Sequence, residues 1–208
     1  MKASDIRSHF GKVSQASPIY RHVGDERNVP VRGVDTLSLK FKPSICQACN
    51  NARTQAHDRA WESLSSALRS FTPPLRRDQR INLDAILGHN RVSLMANVQL
   101  YFVKLLGCYA VEHRVPLPLK SMAVAILSGT PHPRIFLTFA AIESNREKKN
   151  VYVGTVQAVL LGNVLKGATW FYILGDVGVL VTYSEERRPN DRSTWHPEDR
   201  VPYLNLAQ

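Results

Sequence analysis

Cys46 and Cys49 form a Cys-x-x-Cys pair at the head of the stretch ICQACNNARTQAHDRAW. Two thiolates at that spacing on a tight turn reach one metal ion from the same side, with backbone N–H groups steadying the sulfurs. A structural zinc takes four ligands, so the pair supplies half a site. Oxygen and nitrogen donors follow at Asn50, Asn51, His57 and Asp58. Each also has a plainer expectation. The two asparagines cap a helix, His57 is solvated on its surface, and Asp58 pairs with Arg53 or Arg59 at helical spacing. The third cysteine, Cys108, lies in an apolar run and is expected to pack in a core. The rest of the chain offers no carboxylate dyad, no defensible Ser–His–Asp order, no P-loop and no dinucleotide fingerprint. Leu174 to Gly178, LGDVG, stands between two strand-like runs and reads as a hairpin turn, because a phosphate loop needs a helix N-terminus after it. Trp170, Phe171 and Tyr172 read as the two faces of a strand.

A helix has to carry the donors that follow the cysteines. Over 50–71, Ala60, Trp61, Leu64, Ala67, Leu68 and Phe71 recur at three- and four-residue steps, which predicts an amphipathic helix facing a core. Pro73, Pro74 and the run RRDQR end it and place a boundary near residue 78, dividing the chain into 1–78 and 79–208. Upstream, 1–43 reads as loop with one strand, Val34 to Phe41. Downstream, RINLDAIL is a short helix or connector. The run from about Asn90 to His113 is apolar around most of its circumference, so a central buried helix is expected. LKSMAVAILSG makes another helix, closed by Gly129. From Arg134 onward, RIFLTFAAIES, NVYVGTVQAVLLG, ATWFYILGD and VGVLVTYSEE predict an antiparallel meander of about four strands. The tail from Arg187 is polar and is expected to run extended over the surface. The fold class is α+β, with the helices before the meander.

Composition narrows the partner. Three cysteines make no disulfide framework, the N-terminus has no apolar signal region, and no run has eighteen consecutive apolar residues. A cytoplasmic protein outside the membrane is the expectation. The net charge is +10, and residues 1–80 hold fourteen basic and seven acidic side chains against thirteen and ten in the remainder. A basic N-terminal third is the electrostatic footprint of a polyphosphate partner.

The stretch LKFKPSICQACNNARTQAHDRAW resembles the C-terminal half of HNH-type (ββα-metal) nucleases, where a CxxCN knuckle leads into the metal-site helix. More particularly, it is similar to a group of little-characterised bacterial and phage HNH-like proteins. In that group a CNNxRxQxxD pattern precedes a long helix with a YFVK…GC-like segment, matched here by Tyr101 to Lys104 and by Gly107-Cys108. IRSHFGK is similar to a segment that follows an upstream CxxC pair, and the resemblance spans roughly 1–110. It implies a partial treble-clef finger with a structural zinc on Cys46 and Cys49. It further implies Asn50 and Asp58 as donors to magnesium or another divalent ion, and His9, His57 and Asn51 as catalytic candidates for phosphodiester hydrolysis. Arg53, Arg59, Lys40 and Lys42 would then contact double-stranded DNA.

The departures matter. The family's upstream CxxC pair would precede Met1, and its general-base histidine, in an H-[IV]-x-P-like context, has no counterpart; His9 is the nearest by position. Four completions of the knuckle stay open. Local histidines (His9, His22, His57) finish it, or a second protomer does; the upstream pair has been lost by truncation or a late start; or the turn survives without metal. The last two agree best with the sequence. Two functional readings follow: an HNH-like nucleic-acid-binding protein, active or degenerate as an endonuclease, and a non-catalytic structural or regulatory protein. The latter would act through protein contacts, or as a homodimer, on the C-terminal region.

Overall fold

Asp5 and Ile6 are the buried residues of a first helix, α1 (Ala3–Phe10), where the sequence suggests only loop. The computed structural model describes residues 3–23, 26–36, 39–41, 46, 48–142, 150–186 and 188–207. After α1 come β1 (Ile19–Val23) and β2 (Glu26–Val31), then a π-helical turn over Cys49–Arg53 that runs into α2 (Gln55–Arg69). Next are β3 (Arg80–Asn82), α3 (Leu83–Leu87), α4 (Arg91–His113) and α5 (Leu119–Ser128). The strands β4 (Ile135–Ala141), β5 (Asn150–Val153), β6 (Gln157–Leu161), β7 (Val164–Leu174) and β8 (Val177–Ser184) follow, and β9 (Thr194–Trp195) and β10 (Tyr203–Asn205) end the chain. The α+β class is as the sequence indicates.

Local chemistry sets several boundaries. Asn82 opens α3 by accepting hydrogen bonds from the Asp84 and Ala85 N–H groups. Gly129, at φ 69°, closes α5. The β7–β8 loop is the two residues Gly175-Asp176, with Gly175 at φ 63°, so LGDVG is the hairpin turn its residues suggest. A Cβ at Gly175 would also lie 1.8 Å from His9 Nε2, so the contact itself requires glycine there.

The large sheet has the order β2-β1-β5-β7-β8-β4-β9, with β6 also paired to β7. The strands after Arg134 pair antiparallel with one another as expected, but not in the sequential order of a meander. β4 lies antiparallel to β8, forty residues on, and β1 runs parallel to β5, pairing Arg21 with Val151. Strands from the first 31 residues thus share a sheet with the C-terminal strands, across the boundary expected near 78. The tail is not a surface strap either: Trp195 and His196 are buried, β9 pairs with β4, and β10 pairs with β3. Within 34–41, residues 37 and 38 lie outside those described, and the described ones belong to no strand, with Leu39 N–H donating to Thr36 O at 3.2 Å. Val34 and Leu39 are buried in the hydrophobic core without belonging to a ladder. Among the described residues, then, no strand stands between β2 and the Cys46 turn.

One hydrophobic core joins helices to sheet. α2 buries Ala60, Trp61, Leu64 and Leu68 of the stripe read from its periodicity, whereas Ala67 is half-buried and Phe71 lies past the helix end, also half-buried. The Trp61 ring stacks on Tyr101 of α4 with centroids 5.8 Å apart, and meets Phe102 and Tyr172 edge-on. β7 alternates as a half-buried strand should: Trp170 and Tyr172 point inward, Phe171 outward. The segment Leu83–His113 is long and apolar enough to cross a membrane, and the fold buries 72% of its most apolar window. Its composition is accounted for by a core position.

Replacing Trp61 by alanine is expected to cost about 3–5 kcal/mol, the usual loss for a buried large aromatic. Urea unfolding followed by circular dichroism measures this; a loss below ~1 kcal/mol would contradict the packing described.

Candidate functional site

The Cys46 carbonyl accepts the Asn50 N–H at 2.9 Å, and the Cys49 carbonyl accepts the Thr54 N–H at 3.1 Å. The second bond spans five residues, the signature of a π-turn, a feature frequent at functional sites. Cys46 is exposed and Cys49 half-buried, and the Cys49 N–H donates to Cys46 Sγ at 3.3 Å. The Cys49 thiol also hydrogen-bonds to Cys46. That bond, followed by the backbone N–H groups of Cys49 and Ala48 and the charge of Arg53, holds the Cys46 pKa below its ordinary value. Cys49, as the donor in that bond, is raised. Burial pushes the Cys108 thiol up to about 11. The spacing therefore identifies a real pair, and Cys108 stands apart on α4, half-buried rather than packed in the core as expected.

The polar residues after the pair are used differently from the expectation. Asn50 and Asn51 lie exposed inside the π-turn, and neither end of that turn has a side-chain cap. Thr54 turns its hydroxyl back onto the Asn50 carbonyl, 3.1 Å away. His57 is buried, 4% exposed, not solvated. Its Nδ1 lies 2.7 Å from Asn97 Oδ1 on α4, while Asn97 Nδ2 donates to Ser93 O. Asn97 thus presents an acceptor, the proton sits on Nδ1, and Nε2 is left buried with no hydrogen-bond partner in the structure. Asp58 pairs not with Arg53 or Arg59 but with Lys104, whose ammonium also reaches Thr54 Oγ1 at 3.3 Å. Lys104 is 5% exposed, so this carboxylate neutralises a buried cation and is committed to it.

His9 occupies the opposite end of the helix. It lies against Gly175, with Arg69, the last residue of α2, as a charged neighbour. His57 stands in the first turn of α2, so twelve residues of helix, about 18 Å at 1.5 Å per residue, separate the two levels. His9 and His57 cannot share one activated water. His22 lies on β1, where Nδ1 accepts the Asn28 N–H at 3.3 Å. Among the described residues, no three of His, Cys, Asp and Glu converge on a possible metal position. The donors present therefore fit half of a structural zinc site. Arg53, Arg59 and Lys40 are exposed and form no ion pair among the described residues; Lys42 lies outside those residues.

Sequence reasoning missed Lys104, Asn97 and Asp5. Lys104 had a signal, a single cation in the apolar run YFVKLLG, which in a buried helix demands a carboxylate. A second polar cluster looks like hydrolytic machinery and is not. Ser121 Oγ lies 3.0 Å from His132 Nε2, but His132 Nδ1 accepts the Arg134 N–H and Ser121 donates to Pro118 O. The ring proton is then on Nε2, the wrong tautomer for removing a proton from serine. Gln99 binds the same loop through its bonds with the His132 and Ile135 backbone.

A groove between α2 and α4 is lined by Ala56, Arg59, Ala60, Ser63, Asn90, Ser93, Leu94 and Asn97. Comparison with protein-family models, curated proteins and solved structures gives no match to this chain.

Burial, then the nearby Arg69 charge, lowers the His9 pKa below 6.5, with Asp176 and Asp5 opposing. The folded protein thus favours neutral His9, and the unfolded chain takes up the extra proton first. Stability should be full above pH ~6.5 and decline as pH falls through that value. His9→Gln should flatten part of the decline in a Tm-versus-pH series. The remainder belongs in part to His132, lowered in the same direction by burial. An unchanged slope in the variant would contradict the assignment.

Proposed function

We propose that this chain is a nucleic-acid-binding protein whose phosphate-contacting face is the outer side of the knuckle and α2. In this reading it keeps an HNH-like helix without an assembled hydrolytic site. The observation that supports it most is the α2–α4 groove: an exposed, ion-pair-free Arg59 among the hydroxyls of Ser63 and Ser93 and the amide of Asn90. A phosphodiester backbone takes such a mixture of one cation and several neutral hydrogen-bonding groups. Arg53 adds a second exposed cation two residues before α2, and the N-terminal third carries the larger share of the +10 charge. Nothing in the groove reads base edges, so sequence-independent binding to duplex DNA is proposed. Hydrolysis is left out because His9 is about 18 Å along α2 from His57, and Asp58 is spent on Lys104. Without a placed base, general acid–base catalysis forfeits roughly 10²–10⁴-fold in rate.

Duplex affinity should fall steeply with salt on a log–log plot, and Arg53→Ala/Arg59→Ala should make the slope shallower by about 2. Supercoiled DNA should stay intact with magnesium, manganese or zinc. Salt-independent affinity, or no binding at low salt, would remove the nucleic-acid reading. Robust metal-dependent nicking abolished by His57→Ala would restore the enzyme.

A second reading, contact with another protein molecule through the C-terminal region, is favoured by β6. Every residue of that strand is exposed, and Val159, Leu160, Leu161 and Val164 around its turn are 52–69% exposed. Apolar side chains on an edge strand invite pairing. A concentration-dependent dimer in light scattering, lost in Leu161→Lys, is the expected result. A monomer at all concentrations would count against it.

A further inference from the structure

Three observations at the knuckle fit a chemistry other than zinc binding. The Asn50 N–H to Cys46 O bond closes a helical turn, and in such a turn Cα atoms three residues apart are about 5 Å from each other. That lies inside the span a disulfide bridges. The Cys49 N–H is already bonded to Cys46 Sγ at 3.3 Å, so the residues are drawn together before any bond forms. The more exposed sulfur belongs to Cys46, and Cys49 stands behind it, half-buried. An outer sulfur that is attacked first and an inner one that resolves is the division of labour that dithiol exchange needs.

Among the described residues, no set of His, Cys, Asp and Glu converges with the pair on a metal position. Asp58 holds Lys104, His57 is turned to Asn97, and His9 lies at the far end of α2. Arg53, four residues after Cys49, is exposed and lies near both thiols.

We propose that Cys46 and Cys49 are a redox dithiol that exchanges with anionic low-molecular-weight disulfides, of which glutathione disulfide is the probe. The Cys46 thiolate attacks one sulfur of the disulfide. A Cys46–glutathione S–S bond forms, the original S–S bond breaks, and one glutathione thiolate leaves and takes a proton from water. The Cys49 thiolate then attacks the Cys46 sulfur, expelling the second glutathione thiolate. Two electrons pass from the protein to the glutathione disulfide, which becomes two thiols, and the protein gains an intramolecular Cys46–Cys49 bond. Arg53 offers its charge to the glutathione carboxylates. This proposal does not rest on nucleic-acid binding.

The test uses the full chain, reduced and treated with a metal chelator, in glutathione redox buffers at pH 7, with peptide mapping by mass spectrometry. The expected product has lost two hydrogens in the peptide holding Cys46 and Cys49, with Cys108 still open to alkylation. Cys49→Ser should accumulate a glutathione adduct on Cys46. Cys46→Ser should react with glutathione disulfide at least about tenfold more slowly, because the remaining thiol, Cys49, is half-buried and less open to attack. Both substitutions are at the surface turn, and circular dichroism checks that each variant is folded. Any of three results would overturn the proposal: a wild-type pair that stays reduced in excess glutathione disulfide, adducts equally fast on Cys108, or oxidation only between chains. A chain that instead retains one zinc through both cysteines against the chelator would overturn it too.

Discussion

A single buried carboxylate holds the molecule's parts in register. Asp5, 3% exposed, accepts hydrogen bonds from Trp61 Nε1 at 3.0 Å, Ser65 Oγ at 3.0 Å and Arg69 Nη1 at 2.8 Å. Removing an ion from water is costly unless its lone pairs are met, and three donors from successive turns of α2 meet them. Arg69 also reaches the Leu174 carbonyl at the end of β7. Thus α1, α2 and the β7–β8 corner are tied at one point. Removing Asp5 or Arg69 would strand the other's charge in the core, and removing Trp61 or Ser65 would leave a carboxylate lone pair unmet. Because Trp61 belongs both to this cluster and to the aromatic stack with Tyr101, the polar tie also fixes α2 against α4. The placement of the knuckle and of Arg59 follows from it.

At the other end of α2 the same logic recurs with the signs reversed. Lys104 is the buried ion there, and Asp58 and Thr54 are its partners. The helix is therefore pinned at both ends by buried charge, and each pin consumes residues that a nuclease would need. Asp58 is not free to hold a catalytic ion, and His9 belongs to the Arg69 end. Between the pins lies the groove around Arg59, with its serine hydroxyls, and ahead of the first pin stands the pair of thiols.

Much of this could be read from the sequence, and the failures have a common cause. The α2 stripe, the central helix α4, α5 with its Gly129 stop and the Gly175-Asp176 hairpin all announce themselves through local periodicity or turn residues. The elements missed depend on distant partners. α1 is eight residues long and is held by Asp5's contacts some sixty positions away, which no local pattern reveals. β1 finds its neighbour in β5, and β9 is a two-residue strand buried only because β4 lies beside it. His57 looked solvated because its burial comes from α4. The Cys46–Cys49 pair was legible as chemistry, yet whether it had further ligands was a question of tertiary geometry.

The parallel pairing of β1 with β5 has a consequence for how the chain assembles. Arg21 meets Val151 only after about 130 further residues have been made, so the N-terminal hairpin has no sheet to join during most of synthesis. Helices α2 and α4 can associate earlier, through Trp61, Tyr101 and Phe102, but the apolar side that Tyr172 later covers stays open until β7 arrives. Such long-range closure slows folding and lengthens the exposure of sticky intermediates. On the ribosome, the helical half would therefore stay without its cover until the last third of the chain has been made.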